Sequence, residues 1–475
     1  MPLLKVESNR MKKKSLYISL IVGIAFLMEN LDSTAITTAI PKMANDFSVS
    51  AVTMSAGITA YVIMLAVFIP ISGWVAGRYG TRSVFSLAVT GFILASVACG
   101  FSGSLPVFVV SRILQGMAGA MMVPVGQLAV LTNTAKEDLV AATAYITWPG
   151  LVGPIAGPFL GGFFTSYLSW HWIFFINVPI GIITIIYALK FIPNTQPSEK
   201  NKRKLDWIGF LLSGIGLMCL TIGLELLSQD NVDYTVSFTL IGISLLLIGL
   251  SVWHSFRTAY PIIDYNVLKI KTFRIPITSG TISKIVINTA PFIIPLLFQT
   301  VFGMSAFHSG LLFMASMIGN LMMKPATIWI TKKYNFRQVL CFNGFLLALT
   351  TFLQVFFYPG LAVWIIAGIL FFAGMVRSMQ FSGLNTLAYA DVPSDLMSNA
   401  NTLYITLQQL SVALGVSFAA LSLHFSSFYH QNGNNYQLND FQMSFTIISL
   451  FCLLSLIGYL KLNKEDGLVV RVKNK

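Results

Sequence analysis

The sequence predicts an all-α polytopic membrane protein with about 14 transmembrane helices. Of its 475 residues, 55% are hydrophobic and only 10% are charged. A soluble domain carries about 25% charged residues, because water must solvate its surface. Apolar runs of about 20 residues, the length that spans a bilayer core of about 30 Å, recur along the whole chain. The connections between them are too short for a soluble catalytic domain, so we expect no enzyme activity.

The apolar runs define fourteen predicted spans in chain order. They lie near 16–40, 52–76, 84–104, 107–129, 139–167, 172–191, 207–227, 236–257, 274–300, 307–331, 337–358, 361–385, 399–425 and 442–462. The first run follows a basic stretch, as in a secretory signal peptide, but it has no small-residue cleavage site. We therefore expect it to be retained as the first spanning helix.

Charge sets the predicted orientation of the spans. Lys and Arg occupy alternate connections, and positive residues stay on the cytoplasmic side, which predicts that both termini are cytoplasmic. The alternation also supports the span count, since one missed helix would reverse it. Although the net charge is +13, the basic residues do not form one face of a folded domain, so nucleic acid binding is not expected.

The four cysteines indicate neither a disulfide framework nor a metal site. Cys99, Cys219, Cys341 and Cys452 all fall inside apolar runs without metal-like spacing, as small buried hydrophobic residues do. We expect no cofactor, and a proton gradient is the expected energy source.

A basic, polar linker divides the chain. Residues 193–206 are predicted to separate an N-terminal six-helix bundle, 1–192, from two additional helices, 207–257, and a C-terminal six-helix bundle with its tail, 258–475. A weak repeat supports the two bundles: Arg78–Arg82 follows the second span and Lys333–Arg337 follows the tenth. Asn335 replaces Gly80, and both residue types tolerate the left-handed turn conformation.

Two acidic residues lie in the first span, where ionisable groups are costly and usually functional. Glu29 and Asp32 are three residues apart, so they share roughly one helical face. Desolvation and like-charge repulsion favour protonation of such a pair, which predicts proton coupling or substrate binding. The structural alternatives are an N-terminal cap for a broken helix, or a group that reaches a water-filled mouth.

Arg112 opens the fourth span at a depth close to that of Asp32. A buried guanidinium needs a carboxylate or several carbonyls, so we expect these two residues to pair. The pair either breaks and reforms as a proton arrives, or locks two helices as a static ion pair.

The fifth span combines small residues with prolines, which suits a gating helix. Glycines four apart allow another helix to approach closely, and prolines bend a helix; generic small-residue packing is the alternative. The residues concerned are Gly153, Pro154, Gly157, Pro158, Gly161 and Gly162.

Three further cations lie within later spans. Lys284 falls near the midplane of the ninth span, where it could bind an anionic group or pair with a carboxylate. Lys324 and Arg377 lie closer to the inner face, and we expect their long side chains to reach the interface.

These features together resemble the major facilitator superfamily, in particular its 14-span drug:proton antiporter branch. The ordered motifs cover most of the chain. They are Leu31–Pro41, Gly73–Arg82, the set Arg112, Gln115, Gly116 and Gly119, the pairs Gly153-Pro154 and Gly161-Gly162, and Trp170–Pro179 with His171 where Arg is usual.

The resemblance implies a major facilitator fold and proton-driven export of drugs or other lipophilic or cationic small molecules by alternating access. It implies a monomer in the cell membrane whose partners are protons, a small-molecule substrate and lipid. It also assigns conformational roles to Gly73, Arg78, Gly80, Arg82, Gln115 and Gly116. One departure is Gly77, where the branch has an aspartate that latches the cytoplasmic side, so Arg78 and Arg82 need other partners.

Two other functions remain open on the sequence. The same fold can run in the opposite direction, as a proton-coupled symporter importing a small nutrient. A membrane enzyme or sensor is less compatible, because the sequence has no His/Cys/Asp metal cluster and no phosphate-cradling loop.

Overall fold

In the computed structural model, residues 13–49, 51–54, 56–193, 204–227, 234–431 and 436–471 are described, and long helices dominate them. We label these helices α1 to α14. They are Lys13–Asp46, Ala56–Tyr79, Thr81–Gly100, Leu105–Asn133, Leu139–Tyr167, Asn177–Phe191, Trp207–Leu226, Tyr234–Arg257, Lys271–Thr300, Ala306–Lys333, Phe336–Leu353, Val363–Ala390, Met397–Tyr429 and Leu438–Tyr459. Short helical segments flank some of them, including Trp172–Phe175 before α6.

The fourteen predicted spans are confirmed. Thirteen helices of the described chain are long and apolar enough to cross a membrane, and the bent helix α5 makes the fourteenth. Hydropathy locates them because backbone polar groups in lipid must be satisfied within the segment, which leaves a long apolar helix as the available structure.

The two halves of the weak repeat begin their next helix in different ways. Gly80, which precedes α3, has a φ of +84°, a left-handed conformation that glycine adopts at little cost. Asn335, which precedes α11, has an extended backbone with φ −74°. Asn335 therefore does not use the left-handed conformation that both residue types tolerate. Its side-chain oxygen instead accepts a hydrogen bond from the backbone N–H of Gln338 at 2.8 Å, so it acts as an N-cap.

The chain folds into two compact units. The first comprises residues up to Met218 together with Leu246–Tyr265 and Ser394–Ile405. Within it, α1 packs along α5, α4 lies against both α2 and α3, and α6 contacts α3 and α1. An apolar cluster that includes Ile36 and Phe174 fills one part of its interior.

The second unit comprises Cys219–Leu245, Asn266–Pro393 and the residues from Thr406 onward. Within it, α10 packs on α12, while α14 lies against α9 and α11. Its main apolar core includes Leu297 and Phe445. Because the two units divide α7, α8 and α13 within their lengths, the bundle boundaries at 192, 206 and 257 stay a prediction.

Candidate functional site

Asp32 lies at the centre of a buried polar cluster in the first unit. Its side chain is 0% exposed, and both carboxylate oxygens accept hydrogen bonds. Oδ2 accepts from Arg112 Nη1 at 2.6 Å, while Oδ1 accepts from Gln115 Nε2 and Asn177 Nδ2, each at 2.9 Å. Hydrogen bonds to a charged group are the strong ones, and the Arg112 guanidinium supplies one of them here.

Arg112 is held from several sides. Its Nη1 also donates to Gln115 Oε1 at 2.6 Å, and its Nε donates to the carbonyl of Gly57 on α2 at 3.3 Å. The guanidinium carbon lies 4.2 Å from the centre of the Tyr61 ring, where a cation is attracted to the aromatic face. The predicted contact between Arg112 and Asp32 is therefore present, and its role remains a proposal.

Ser96 on α3 completes the cluster by accepting hydrogen bonds from both amide groups. Its hydroxyl oxygen accepts from Gln115 Nε2 at 2.9 Å and from Asn177 Nδ2 at 3.2 Å, while its own proton goes to the carbonyl of Phe92. Helices α1, α3, α4 and α6 thus each supply a buried polar side chain, and α2 supplies a carbonyl and a ring. One carboxylate and one guanidinium make the cluster electrically balanced.

Glu29 lies one turn before Asp32 and outside this balanced pair. Its Oε2 is buried without a hydrogen-bond partner among the described residues. Helix α1 runs unbroken through both acids, so neither caps a broken helix segment. The complete burial of Asp32 also rules out a group that reaches an open mouth.

The glycines of α5 face α1. A Cβ on Gly157 or Gly161 would collide with α1 backbone and threonine atoms, and the Thr34 hydroxyl lies 3.3 Å from the Gly153 carbonyl oxygen, to which it can donate. Gly162 is different, because a Cβ there would meet nothing within 4 Å. The partner of the predicted small-residue surface is thus the helix that carries Asp32.

Helix α5 is also bent, as its prolines predict. The axes of Leu139–Pro154 and Phe159–Thr165 differ by 40°, which places the bend in the segment that contains Gly157 and Pro158. A gating role for this bend remains a proposal.

Gly116 allows α4 to approach α2. A Cβ on Gly116 would lie 2.9 Å from the Cβ of Met64, tighter than carbon atoms normally pack. Arg112, one turn earlier, can therefore reach across to the α2 backbone.

The end of α2 contacts the first turns of α13 within the first unit. The Ser398 hydroxyl donates to the Gly73 carbonyl at 3.3 Å, and a Cβ on Gly73 would collide with Thr402. Asn401 Nδ2 donates to the Pro124 carbonyl on α4 at 2.9 Å. These contacts use hydroxyl and amide groups, and no carboxylate is needed for them.

The two arginines at the junction of α2 and α3 differ in their surroundings, and neither has an acid at position 77. The guanidinium of Arg78 lies 5.6 Å from the Trp74 ring centre and 5.9 Å from that of Tyr79, so aromatic faces replace a carboxylate as its neighbours. Arg82 has no hydrogen bond or ion pair with any residue that the structure describes.

His171 occupies the segment between α5 and α6. Its ring stacks on Trp170 with centres 3.7 Å apart, and Trp170 Nε1 donates to Asp46 Oδ2 at 2.7 Å. Partial burial lowers the pKa of His171, while the charge of Asp46 acts in the opposite direction. The position therefore favours a neutral ring, unlike the arginine that is usual there.

The other intramembrane cations belong to the second unit. Lys284 is buried on α9. Lys324 on α10 and Arg377 on α12 are 3% and 8% exposed, so the expectation that they reach the interface is wrong. Their side chains turn between α10 and α12, where Lys324 Nζ donates to Ser382 at 2.9 Å and Arg377 Nη1 donates to Ser316 at 3.1 Å.

Sequence reasoning missed Ser96, Asn177 and Tyr61 as parts of the cluster. Asn177 lies in the Trp170–Pro179 motif, which was a usable signal. Ser96 had no such signal in the sequence, because the hydroxyl of a serine in a spanning helix commonly bonds only to a backbone carbonyl of the same helix. No group of three or more His, Cys, Asp or Glu side chains in the described segments is placed to hold a metal ion.

Relatives of known name share most of this chain. Three proteins named multidrug resistance protein MdtD are 38%, 36% and 36% identical over 404, 414 and 405 residues, in Pectobacterium carotovorum, Serratia proteamaculans and Escherichia coli. The matches cover 85%, 86% and 85% of this chain, and 86%, 85% and 85% of those proteins.

Solved structures show the same fold. The human organic anion transporter TETRAN superposes with a TM-score of 0.64 at 16% identity, covering 94% of this chain and 99% of that one. The proton:xylose symporter XylE gives a TM-score of 0.64 at 14% identity, covering 94% and 95%. The model of the Major Facilitator Superfamily matches residues 22–416. With its fourteen spans and these relatives, the chain belongs to the Major Facilitator Superfamily and is a multi-pass membrane transporter rather than an enzyme.

Proposed function

We propose that this protein is a proton-driven antiporter that exports lipophilic or cationic drugs and related small molecules by alternating access. It would lie in the bacterial inner membrane with both termini in the cytoplasm, and would act as a monomer without a cofactor. The multidrug resistance name of its bacterial relatives supports the export of drugs. The single observation that carries proton coupling is the fully buried Asp32, whose carboxyl group accepts a hydrogen bond from Arg112 at 2.6 Å in the first unit.

Protonation of Asp32 would unbalance this cluster. The ionised carboxylate accepts three hydrogen bonds from Arg112, Gln115 and Asn177. A neutral acid no longer compensates the Arg112 charge, and its hydroxyl must donate where the carboxylate only accepted. Because an uncompensated buried charge is costly, the proton favours a rearranged cluster and hence another arrangement of the helices that hold it.

Glu29 supplies a second acidic group for the same cycle. Its buried Oε2 has no partner in the described part of the chain, so it is available to bind a proton or the positive charge of a substrate. In our proposal the proton and the exported compound compete for the acids of α1, which is the requirement for antiport.

The contact between α1 and α5 would transmit the change. Gly157 and Gly161 of α5 lie directly on the turns of α1 that follow Asp32. Interfaces packed this closely shift between discrete arrangements rather than deform continuously. A displacement of α1 would therefore move the bent helix α5 with it.

Proton exchange in reconstituted vesicles tests the function. Vesicles containing the purified protein are loaded with rhodamine 123 and a pH-sensitive dye, and proton entry is recorded as rhodamine leaves. We expect counterflow with the wild type and with Asp395→Asn, which makes the same chemical change at an exposed site, and none with Asp32→Asn. Protons and rhodamine moving in the same direction would show a symporter, and full exchange by Asp32→Asn would remove the proton assignment.

A further inference from the structure

The spanning helices α9 to α12 of the second unit carry positive charge without any acidic residue. Between Lys271 and Ala390 the sequence has eight Lys or Arg residues and no Asp or Glu. Five of the eight lie near helix ends, where basic residues are expected on the cytoplasmic side. The other three, Lys284, Lys324 and Arg377, lie within the helices and are buried.

The hydrogen bonds of Lys324 and Arg377 within the described chain go to hydroxyl groups, and Lys324 Nζ also lies 6.0 Å from the centre of the Phe381 ring. Lys324 Nζ bonds to Ser382 and Arg377 Nη1 bonds to Ser316. No carboxylate in the part of the chain that the structure describes neutralises either charge. A hydroxyl dipole satisfies one donor but leaves the net charge, and a buried charge without a counter-charge is strongly disfavoured.

The two cations share one helix interface. Helices α10 and α12 approach so closely that a Cβ on Gly319 or Gly374 would collide with the opposite backbone. Each helix sends its cation to a serine of the other, so both charges lie along the same seam. Helix packing this tight fixes both side chains, which is the preorganisation that a binding site requires.

The two helices that form this seam also carry buried polar atoms without partners. Among the described residues, Asn320 Oδ1 on α10 and both Ser378 Oγ and Thr386 Oγ1 on α12 are buried and make no hydrogen bond. Buried polar groups are normally satisfied. On the two helices that hold the cations, these atoms are available for hydrogen bonds to a polar ligand.

Lys284 lies at a similar level on the adjacent helix. Its neighbour Ser283 accepts from Gln380 Nε2 on α12 at 3.5 Å, two residues before the serine that holds Lys324. Lys284 therefore adds a third buried basic side chain at this depth, whatever its own contacts are.

We infer that the second unit contains an anion-binding subsite formed by Lys324 and Arg377, which takes the carboxylate or another acidic group of a transported compound. This deepens and rests on the proposed function, because it adds acidic and zwitterionic compounds to its substrates. The first unit then carries the acids that respond to protons, and the second carries the cations that hold the acidic group.

Binding of two related dyes tests the subsite. Fluorescein carries a carboxylate and rhodamine 123 carries a positive charge on a similar ring system. Their affinities are measured by fluorescence anisotropy with the protein in phosphatidylcholine nanodiscs, without a pH gradient. We expect saturable fluorescein binding, weakened at least about tenfold by Lys324→Gln or Arg377→Gln relative to rhodamine 123.

Charge-preserving variants separate this role from a structural one. Lys324→Arg and Arg377→Lys should retain fluorescein binding better than the Gln variants. Lys464→Gln, which removes a lysine at an exposed position, should bind as the wild type does. Absence of saturable fluorescein binding, or an equal loss of both dyes in the Gln variants, would overturn the proposal.

Two further measurements identify the source of the anion and separate a failure of the subsite from a failure of the proposed antiport. Phosphatidylglycerol added to the nanodiscs will compete with fluorescein if a lipid headgroup occupies the subsite, and will not compete if the subsite is reserved for solutes. If the protein exchanges rhodamine 123 for protons but binds no fluorescein, the subsite proposal fails and the antiport proposal stands. If it binds fluorescein without any exchange, the antiport proposal fails and the subsite proposal stands.

Discussion

The two units bury their charges in opposite ways. In the first, the Asp32 carboxylate and the Arg112 guanidinium are 2.6 Å apart, and Gln115, Asn177 and Ser96 form hydrogen bonds within the same cluster. In the second, Lys324 and Arg377 are buried and each bonds to one serine, and no acid among the residues that the structure describes pairs with them. One proton is enough to change the net charge of the balanced cluster. The positively charged cluster has no counter-charge of its own, and the acidic group of a ligand can supply it.

Both units place these charges on closely packed helix pairs. Glycines of α5 contact α1, which carries Asp32, and Gly319 and Gly374 join α10 to α12, which carry the two cations. Small residues let helices approach in lipid, where no hydrophobic effect drives them together. The charged side chains are thereby fixed in position in each unit, although their chemistry differs.

The largest effect is expected when the pair of the first unit is broken. Arg112→Gln leaves Asp32 buried without a cation, which should lower the free energy of unfolding by about 3–5 kcal/mol, measured by equilibrium unfolding in detergent micelles. A variant as stable as the wild type would show that the pair is not a buried salt bridge.

The double variant Asp32→Asn/Arg112→Gln decides between a switch and a static lock. Removing both charges should recover about 1–3 kcal/mol relative to the sum of the single losses. If stability returns while dye-driven proton flux does not, the pair is part of the proton cycle. If both return, Asp32 and Arg112 only hold two helices together.

A smaller effect is expected at the contact between α1 and α5. Gly157→Ala introduces a methyl group where Thr34 and the α1 backbone leave no space, and should cost about 1–3 kcal/mol through overpacking. Gly162→Ala is the matched control, because its Cβ meets nothing within 4 Å. Stability is measured as the melting temperature of each variant in the same detergent. Equal melting temperatures would mean that α5 is not closely packed against α1 at Gly157.

A still smaller loss of stability is expected when Ser96, the serine of the balanced cluster, is replaced. Ser96→Ala removes one acceptor shared by the amides of Gln115 and Asn177, which should cost about 1 kcal/mol. Ser111→Ala provides the comparison, since that hydroxyl bonds only to the Val107 carbonyl of its own helix at 2.8 Å. A loss of the same size in both variants would place Ser96 among ordinary helix serines.

The spans and the contact of Asp32 with Arg112 could both be predicted from the sequence. The cost of a polar group in lipid depends on its depth in the membrane, and that depth can be counted along a helix. The sequence did not predict which way a side chain points around the helix. Lys324 and Arg377 were therefore expected at the interface, although they face a neighbouring helix. The role of Ser96 depends on where α3, α4 and α6 meet, which single-helix patterns do not contain.

The smallest effect on stability should come from the second unit, and it decides whether the comparison holds. Arg377→Gln removes a buried charge that has no carboxylate to leave behind, so the free energy of unfolding should change by no more than about 1 kcal/mol and can rise. Arg112→Gln is its matched counterpart, since both substitute a buried arginine by the same residue. A loss at Arg377 as large as that at Arg112 would mean that the second unit also neutralises its cation, and the contrast between a switched cluster and a ligand-accepting one would then fail.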